Sequence, residues 1–146
     1  MTNKRAPKLK LEVQPRKNSK EAKLIVKGLY AHNREFCSND DWSDLTIFFK
    51  NPKDEVVAGL IGEGGWGWLF VKILWVSQKS RKSGLGTKLM MKAESEAKKR
   101  KYTGVWLDTF TFQAPKFYQK LGYKKFGELP NYPKAYRRGF FFKKLK

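Results

Sequence analysis

One turn in the sequence has glycines and cations at the spacing that an anion-binding loop requires. Residues Arg81-Lys82-Ser83-Gly84-Leu85-Gly86 follow an apolar segment and lead directly into a helical pattern. A helix N-terminus presents unpaired backbone N–H groups and the positive end of the helix dipole, and glycines let a ligand approach the backbone closely. The turn therefore predicts an anion site, and a phosphate would suit it. The alternative is a loop with two conformational glycines and a helix cap, and these six residues alone favour neither interpretation.

The apolar residues on both sides of this turn predict the elements that hold it. Residues 68–76 are apolar on both faces, with Lys72 as the interruption, which is typical of a central strand covered on each side. A helix is predicted from Gly84 to about Lys101 by apolar residues at four-residue steps, namely Leu85, Leu89, Ala93 and Ala97. The candidate anion site would thus join a buried strand to an amphipathic helix.

The rest of the chain predicts a mixed α+β sheet. Further strands are indicated by alternation or short apolar runs at residues 9–13, 45–49, 55–61, 105–107, 126–129 and 136–144. Asn18 and Glu21 form a candidate capping box for a first helix that runs to about Phe36, and a short helix is expected at residues 116–121. The glycines of residues 62–67 are interpreted as a connection. The order combines an antiparallel meander with a strand-helix-strand crossover.

Composition limits the classes of protein to which the chain can belong. Its 146 residues, 40% apolar and 15% aromatic, suit a single domain over residues 1–146, with residues 1–8 expected to be a flexible basic tail. No run of about 18 apolar residues predicts a membrane span. One cysteine, Cys37, and one histidine, His32, provide neither an internal disulfide nor a set of metal ligands. We expect a cytoplasmic protein without a metal.

A second segment shares its pattern with a known family. Residues 112–123, Phe-Gln-Ala-Pro-Lys-Phe-Tyr-Gln-Lys-Leu-Gly-Tyr, follow the turn at Arg81, Gly84 and Gly86. Together the two segments resemble the GNAT superfamily of N-acetyltransferases, which carries Arg/Gln-x-x-Gly-x-Gly/Ala at a strand-to-helix turn and a late Ala-x-x-Phe-Tyr-x-Lys-Leu-Gly-Phe/Tyr. The resemblance covers about residues 43–145. It implies an α+β fold with a mixed, mainly antiparallel central sheet, splayed central strands and flanking helices.

The resemblance also implies a cofactor and a reaction. The cofactor would be acetyl-CoA, and its acetyl group would pass to a primary amine of a small molecule or a protein. Backbone groups of the central strand would bind the pantetheine arm and the glycine turn would bind the pyrophosphate. Tyr118 would be the general acid for the departing thiolate. The implied cofactor-binding residues are Leu74, Trp75, Val76, Arg81, Lys82, Ser83, Gly84, Leu85, Gly86, Thr87, Thr111, Ala114 and Phe117, although Thr111 stands where relatives often carry Asn.

The acceptor side is less defined by the sequence. Relatives often place a carboxylate on the central strand as a base, whereas this chain has Phe70 and Lys72 there. A charged Lys72 would repel an ammonium substrate, so we expect it to pair with a neighbouring carboxylate, Asp108 or Glu63, rather than to act in catalysis. Candidate acceptor-site residues are Asn33, Trp66, Lys72 and Asp108. Deprotonation through a water could involve Asp108, Glu63, or one of Asp40, Asp41 and Asp44.

Net charge keeps two other functions open. The chain has a formal charge of +19, and residues 74–146, with 19 basic and 4 acidic side chains, carry +15 of it. Such a field favours an anionic partner, so a nucleic-acid-binding protein is the second-ranked alternative. An acyl-CoA-binding protein without turnover is the third, because the expected carboxylate is missing. Because members of the family that the sequence resembles often form dimers, a homodimer is also possible.

Overall fold

The computed structural model describes residues 7–38 and 41–146, and the chain divides into two compact units, residues 1–38 and 39–146. Most of the predicted basic tail, residues 1–6, lies outside the described residues, as does Asp40. The α-helices and strands of the described ranges are α1 Lys20–Asn33, β1 Ser43–Lys50, β2 Val56–Gly65, β3 Trp68–Val76, α2 Leu85–Lys99, β4 Gly104–Phe110, α3 Pro115–Lys120, β5 Lys124–Leu129 and β6 Arg138–Lys144. None of the helices in these ranges is both long and apolar enough to cross a membrane.

The first unit consists of an extended segment followed by α1. Ser19 caps the helix by accepting a hydrogen bond from the backbone N–H of Ala22 at 3.1 Å, so the prediction that Asn18 begins it was wrong. The helix ends at Asn33 and continues only as a turn, three residues before the predicted end. The strand predicted at residues 9–13 is absent from the described structure. Alternating Leu and Val residues favour an extended chain, but a strand also needs a hydrogen-bonded neighbour.

The second unit is built on a six-stranded sheet in the order β1-β2-β3-β4-β6-β5. All neighbouring strands are antiparallel except β3 and β4, which are parallel because α2 crosses between them. The apolar face of α2 packs on the sheet through Leu89, Met90, Ala93 and Ala97, all buried, against Leu60 and Leu69. The predicted α+β class with a mixed, mainly antiparallel sheet is confirmed.

Strand β2 extends further than the sequence indicated, because its glycines belong to the strand. A Cβ atom on Gly64 would lie 2.4 Å from the ring of Tyr102, and one on Gly65 would lie 2.0 Å from the ring of Trp42. These glycines therefore make room for aromatic rings that cover the strand. The connection to β3 is confined to Trp66 and Gly67, which both have positive φ angles.

The two central strands separate partway along their length. β3 and β4 pair only from Trp68 opposite Gly104 to Val71 opposite Leu107, although β3 continues to Val76 and β4 to Phe110. Beyond Val71, β3 keeps its pairing with β2 alone on the other side. The separation leaves an open edge of β3 facing a gap, as the predicted splay requires.

Candidate active site

A cleft of about 900 Å³ occupies the gap between β3 and β4. Its walls are the separated part of β3, the turn before α2, the end of β4 and the first residues of α3. It is lined by residues 71–76, 80–82, 84–87, 108–109, 112–114 and 117–118. The cleft therefore joins the glycine turn and the late aromatic motif, which lie more than 20 residues apart in the sequence.

The turn between β3 and α2 forms one part of the cleft wall. Gly84 adopts a left-handed conformation (φ 79°), and no side chain among the described residues caps the N-terminus of α2. The first backbone N–H groups of the helix are therefore available to a ligand, with the helix dipole behind them. Arg81 is fixed beside them, because its Nε donates to the carbonyl oxygen of Val76 at 3.2 Å. The Ser83 hydroxyl donates to the carbonyl oxygen of Ser80 and tightens the turn.

Gly86 lies where three elements of the cleft meet. A Cβ atom at this position would lie 3.3 Å from the ring of Phe117 on α3 and 3.9 Å from a methyl group of Val76 on β3. A glycine here thus lets the first turn of α2 approach both neighbours. Phe117 in turn packs edge-on against Tyr118, with ring centroids 5.1 Å apart.

Tyr118 places a protonated hydroxyl group at the cleft. Its side chain is buried, with 8% exposure, and among the described residues its hydroxyl makes no hydrogen bond. Burial, assisted by the negative charge of Asp108, raises the pKa of Tyr118 to about 12. The hydroxyl therefore remains protonated throughout the physiological range and can donate to a group in the cleft.

Asp108 is held at the end of β4 by an arginine that the sequence did not identify. The Nε of Arg138 donates to Oδ1 of Asp108 at 2.8 Å, and both side chains are largely buried. The guanidinium lies 5.4–5.5 Å from the ring centroids of Phe110, Tyr132 and Phe140. The hydrogen bond to Asp108 is the main cause of a raised pKa for Arg138. The prediction that Lys72 pairs with Asp108 or Glu63 was wrong, because the Arg138 guanidinium pairs with Asp108 and the described residues show no ion pair between Lys72 and Glu63.

The structure brings most of the predicted site residues to one cleft. Of the residues named from the sequence, those that line it are Lys72, Leu74, Trp75, Val76, Arg81, Lys82, Gly84, Leu85, Gly86, Thr87, Asp108, Ala114, Phe117 and Tyr118. Their roles remain predictions, since lining a cleft is a matter of position.

Four predicted residues are not among those that line the cleft. Ser83 bonds within the turn, and the hydroxyl of Thr111 accepts from the backbone N–H of Arg137 at 3.2 Å, which ties down the segment before β6. Trp66 forms the turn at the opposite end of β3, where its backbone N–H donates to Asp41. Asn33 belongs to the separate unit of residues 1–38.

The cleft also contains residues that the sequence did not single out. Thr109 and Gln113 both line it, and the Oε1 of Gln113 accepts from the backbone N–H of Phe110 at 3.0 Å. The hydroxyl of Thr109 lies 3.3 Å from the same oxygen. Gln113 stands inside the late motif, so the motif could have indicated it. Arg138 has no such signal, because Asp108, Phe110 and Tyr132 come from two other parts of the chain.

Comparison with known sequences identifies the family. Residues 16–123 match the acetyltransferase (GNAT) family, and the chain belongs to this family. It is an acyl-CoA-dependent acetyltransferase, with acetyl-CoA as its cosubstrate. The acetyltransferase Atu2258 of Agrobacterium fabrum is 36% identical over 107 residues, which are 73% of this chain and 78% of the relative. The blasticidin-S acetyltransferase of Streptomyces morookaense is 40% identical over 82 residues, or 56% of this chain and 60% of the relative.

Solved structures have the same fold. An acetyltransferase from Bacillus cereus superimposes with a TM-score of 0.86 and 28% identity, covering 94% of this chain and 98% of that one. An aminoglycoside 6′-N-acetyltransferase solved with coenzyme A superimposes with a TM-score of 0.61 and 21% identity, covering 69% of this chain and 72% of that one. At that identity the second comparison shows the fold alone.

Proposed function

We propose that the chain transfers the acetyl group of acetyl-CoA to a primary amine of a small molecule, with Tyr118 as the hydrogen-bond donor to the departing sulfur. The observation that supports this most directly is the cleft itself. One wall is an open strand edge, another is an uncapped helix N-terminus with cations beside it, and a protonated tyrosine lines the same cleft. A thioester cosubstrate needs these three features. The strand edge suits its amide-containing arm, the helix N-terminus suits its pyrophosphate, and the hydroxyl suits its sulfur.

The residues at the turn fit a pyrophosphate. Gly84 carries no side chain over the N-terminus of α2, and a Cβ built there meets no protein atom within 4 Å, so space for a ligand exists. Backbone N–H groups of residues 84–87 would donate to the phosphate oxygens, and Arg81 and Lys82 would supply positive charge. The free edge of β3 at residues 74–76 would bind the amides of the pantetheine arm as an added strand. Acetyl-CoA supplies an activated acyl group on a thiol leaving group.

Tyr118 would act on the sulfur atom as charge develops there. A thiol has an ordinary pKa of about 8.5, well below the value of about 12 for Tyr118. The tyrosine therefore holds its proton firmly and stabilises the departing sulfur mainly by donating a hydrogen bond to it. The side chain is largely buried, with 8% exposure, so its ring is held in place and the hydroxyl is aimed at the cleft without a competing protein partner among the described residues.

Asp108 is the carboxylate best placed to receive the amine. It lines the same cleft as Tyr118 and lies close enough to influence the pKa of that tyrosine. Arg138 fixes one of its oxygens, which leaves the other for an ammonium group or for a water that takes its proton. Lys72 lines the same region and is exposed, which favours an amine with a single positive charge over a polycation. The relative named for blasticidin S supports a small-molecule acceptor.

Two measurements test this function. Acetyl-CoA at about 100 times its Kd stabilises a protein by about 2.7 kcal/mol, which for this chain length raises the Tm by roughly 5–10 °C. A thiol-release assay with a panel of primary amines that includes blasticidin S should then show turnover with at least one monocationic amine. A thermal shift without thiol release would favour acyl-CoA binding without turnover. No shift, together with salt-sensitive retention on nucleic acid, would favour the nucleic-acid alternative.

A further inference from the structure

Four aromatic side chains form a cluster beside the cleft, and we call it the aromatic platform; its members are Phe110, Phe112, Tyr132 and Tyr136. Phe110 stacks with Phe112 at a centroid distance of 5.2 Å and with Tyr132 at 5.8 Å, and the ring planes differ by only 12° and 8°. Tyr136 packs edge-on against Phe112 at 4.9 Å. Phe112 is the member that lines the cleft. All four residues belong to the unit of residues 39–146, so the platform forms within one unit.

Backbone contacts hold the two segments that carry these rings. The backbone N–H of Thr111 donates to the carbonyl oxygen of Arg137 at 2.9 Å, and the N–H of Arg137 donates back to the Thr111 hydroxyl at 3.2 Å. Within the other segment, the N–H of Tyr132 donates to the carbonyl oxygen of Tyr136 at 3.0 Å. The rings are therefore ordered before a ligand binds, which lowers the entropy that binding costs.

Arg138 joins the platform to the carboxylate of Asp108. Its guanidinium donates to Oδ1 of Asp108 at 2.8 Å and to the hydroxyl oxygen of Tyr132 at 3.5 Å, and it lies 5.5 Å from the ring centroid of Phe110. Asp108 and Phe112 both line the cleft. A molecule with a cation at one end and an apolar group at the other can therefore contact the carboxylate and the platform together.

A neutral flat ring suits the platform better than a second cation does. A cation over aromatic faces is also a favourable arrangement, but the Arg138 guanidinium already supplies one, within 5.5 Å of three ring centroids. A second cation beside it would be repelled. Aromatic rings prefer stacked or edge-on contacts with other rings, and both kinds already occur at Phe112.

We propose that the acceptor is a primary amine attached to a flat aromatic or heteroaromatic ring, with the ring packed on Phe112 and the amine at Asp108. This rests on the proposed function and adds the class of the acceptor to it. Arg138 holds one oxygen of Asp108, so the other oxygen is the contact for the ammonium group. The platform then distinguishes acceptors by shape, because a flat ring stacks on Phe112 whereas a saturated ring of similar size gains only burial.

Matched amines and matched variants test this subsite. Thiol release at saturating acetyl-CoA is measured with benzylamine, phenethylamine and phenylpropylamine, each beside its cyclohexyl counterpart of equal chain length and charge. For at least one pair, the kcat/KM of the wild type should be about 3–10-fold higher for the aromatic amine, the range that a ring–ring contact supplies. Phe112→Leu should lower this ratio to about one. Phe126→Leu removes a ring on β5 that packs on Phe142 outside the cleft, and it should leave the ratio unchanged.

The outcomes separate this subsite from the proposed function. Equal or reversed kcat/KM values within all three pairs, or equal responses to Phe112→Leu and Phe126→Leu, would overturn the subsite. Turnover of other primary amines alone would also overturn it and would leave the proposed function in place, whereas no thiol release with any amine would refute both. If calorimetry shows that Phe112→Leu weakens acetyl-CoA binding more than about fivefold while the amine ratio is unchanged, the ring contacts the cofactor instead. A retained thermal unfolding transition in the Phe112→Leu protein distinguishes loss of the subsite from loss of folding.

Discussion

Replacement of Tyr118 by Phe tests the contribution of a single hydroxyl group without changing the rest of the cleft. Among the described residues this hydroxyl makes no hydrogen bond, so Phe should keep the packing against Phe117 and Tyr123 and leave no buried group without a partner. The expected change in the free energy of unfolding is below about 1 kcal/mol, which corresponds to a Tm shift of at most about 4 °C. A change in activity would therefore report chemistry.

The size of the activity loss follows from the proposed role. A positioned proton donor typically contributes about 10²–10⁴-fold to the rate. Because Tyr118 holds its proton with a pKa of about 12, we expect the lower end, about 100-fold in kcat/KM for the amine. Because the Tyr118 hydroxyl does not ionise between pH 7 and 10, the pH dependence of the rate in that range should be the same in the wild type and in the Tyr118→Phe protein.

The assay is thiol release at saturating acetyl-CoA, combined with calorimetric measurement of acetyl-CoA binding. The Kd should change by less than about fivefold, since a single neutral hydrogen bond contributes about 1 kcal/mol or less to net binding. An unchanged kcat/KM would remove Tyr118 from the reaction. A loss confined to acetyl-CoA affinity would show that the hydroxyl binds the cofactor and does not stabilise the departing sulfur.

Three further substitutions or conditions have definite expected outcomes. The raised pKa values of Tyr118 and Tyr123 add to the free energy of unfolding below pH 10, and this contribution is lost as the pH rises toward 12. The loss is up to about 1.4 kcal/mol per pH unit for each group. Urea unfolding at pH 8, 10 and 11 measures the loss, and Tyr123→Phe should reduce its dependence on pH. Gly84→Ala should lower the free energy of unfolding by roughly 1–2 kcal/mol because of the positive φ angle, and it should weaken acetyl-CoA binding at least tenfold. The control is Gly28→Ala on α1, where a Cβ also meets no atom within 4 Å, and it should not affect binding. Equal affinities of the two variants would place the phosphates elsewhere. Gly104→Ala should destabilise the fold by more than about 3 kcal/mol, because its Cβ would lie 2.5 Å from the carbonyl oxygen of Lys143 in a paired strand, and an unchanged urea midpoint would contradict this packing.

The order of elements was largely predictable because it depends on local periodicity. The helix at Leu85–Lys99 and the strand at Trp68–Val76 have strong patterns, and both were found close to their predicted limits. The glycines of β2 were misread, because glycine usually marks a turn. Their role depends on Trp42 and Tyr102, which come from other parts of the chain. The strand predicted at residues 9–13 was also wrong. Its alternating pattern does favour an extended chain, but no neighbouring strand pairs with it in the described structure.

The sequence by itself determined the glycine turn, the late aromatic motif and the family to which they belong. These are short patterns of residue type, and each forms within one turn or one helix. Only the tertiary structure decided that Arg138 and not Lys72 holds Asp108, and that Trp66 lies at the far end of β3 from the cleft. Strand order and the point where β3 and β4 separate set those neighbours. Such long-range pairing depends on how the whole sheet buries its apolar residues, and no local spacing in the sequence records it.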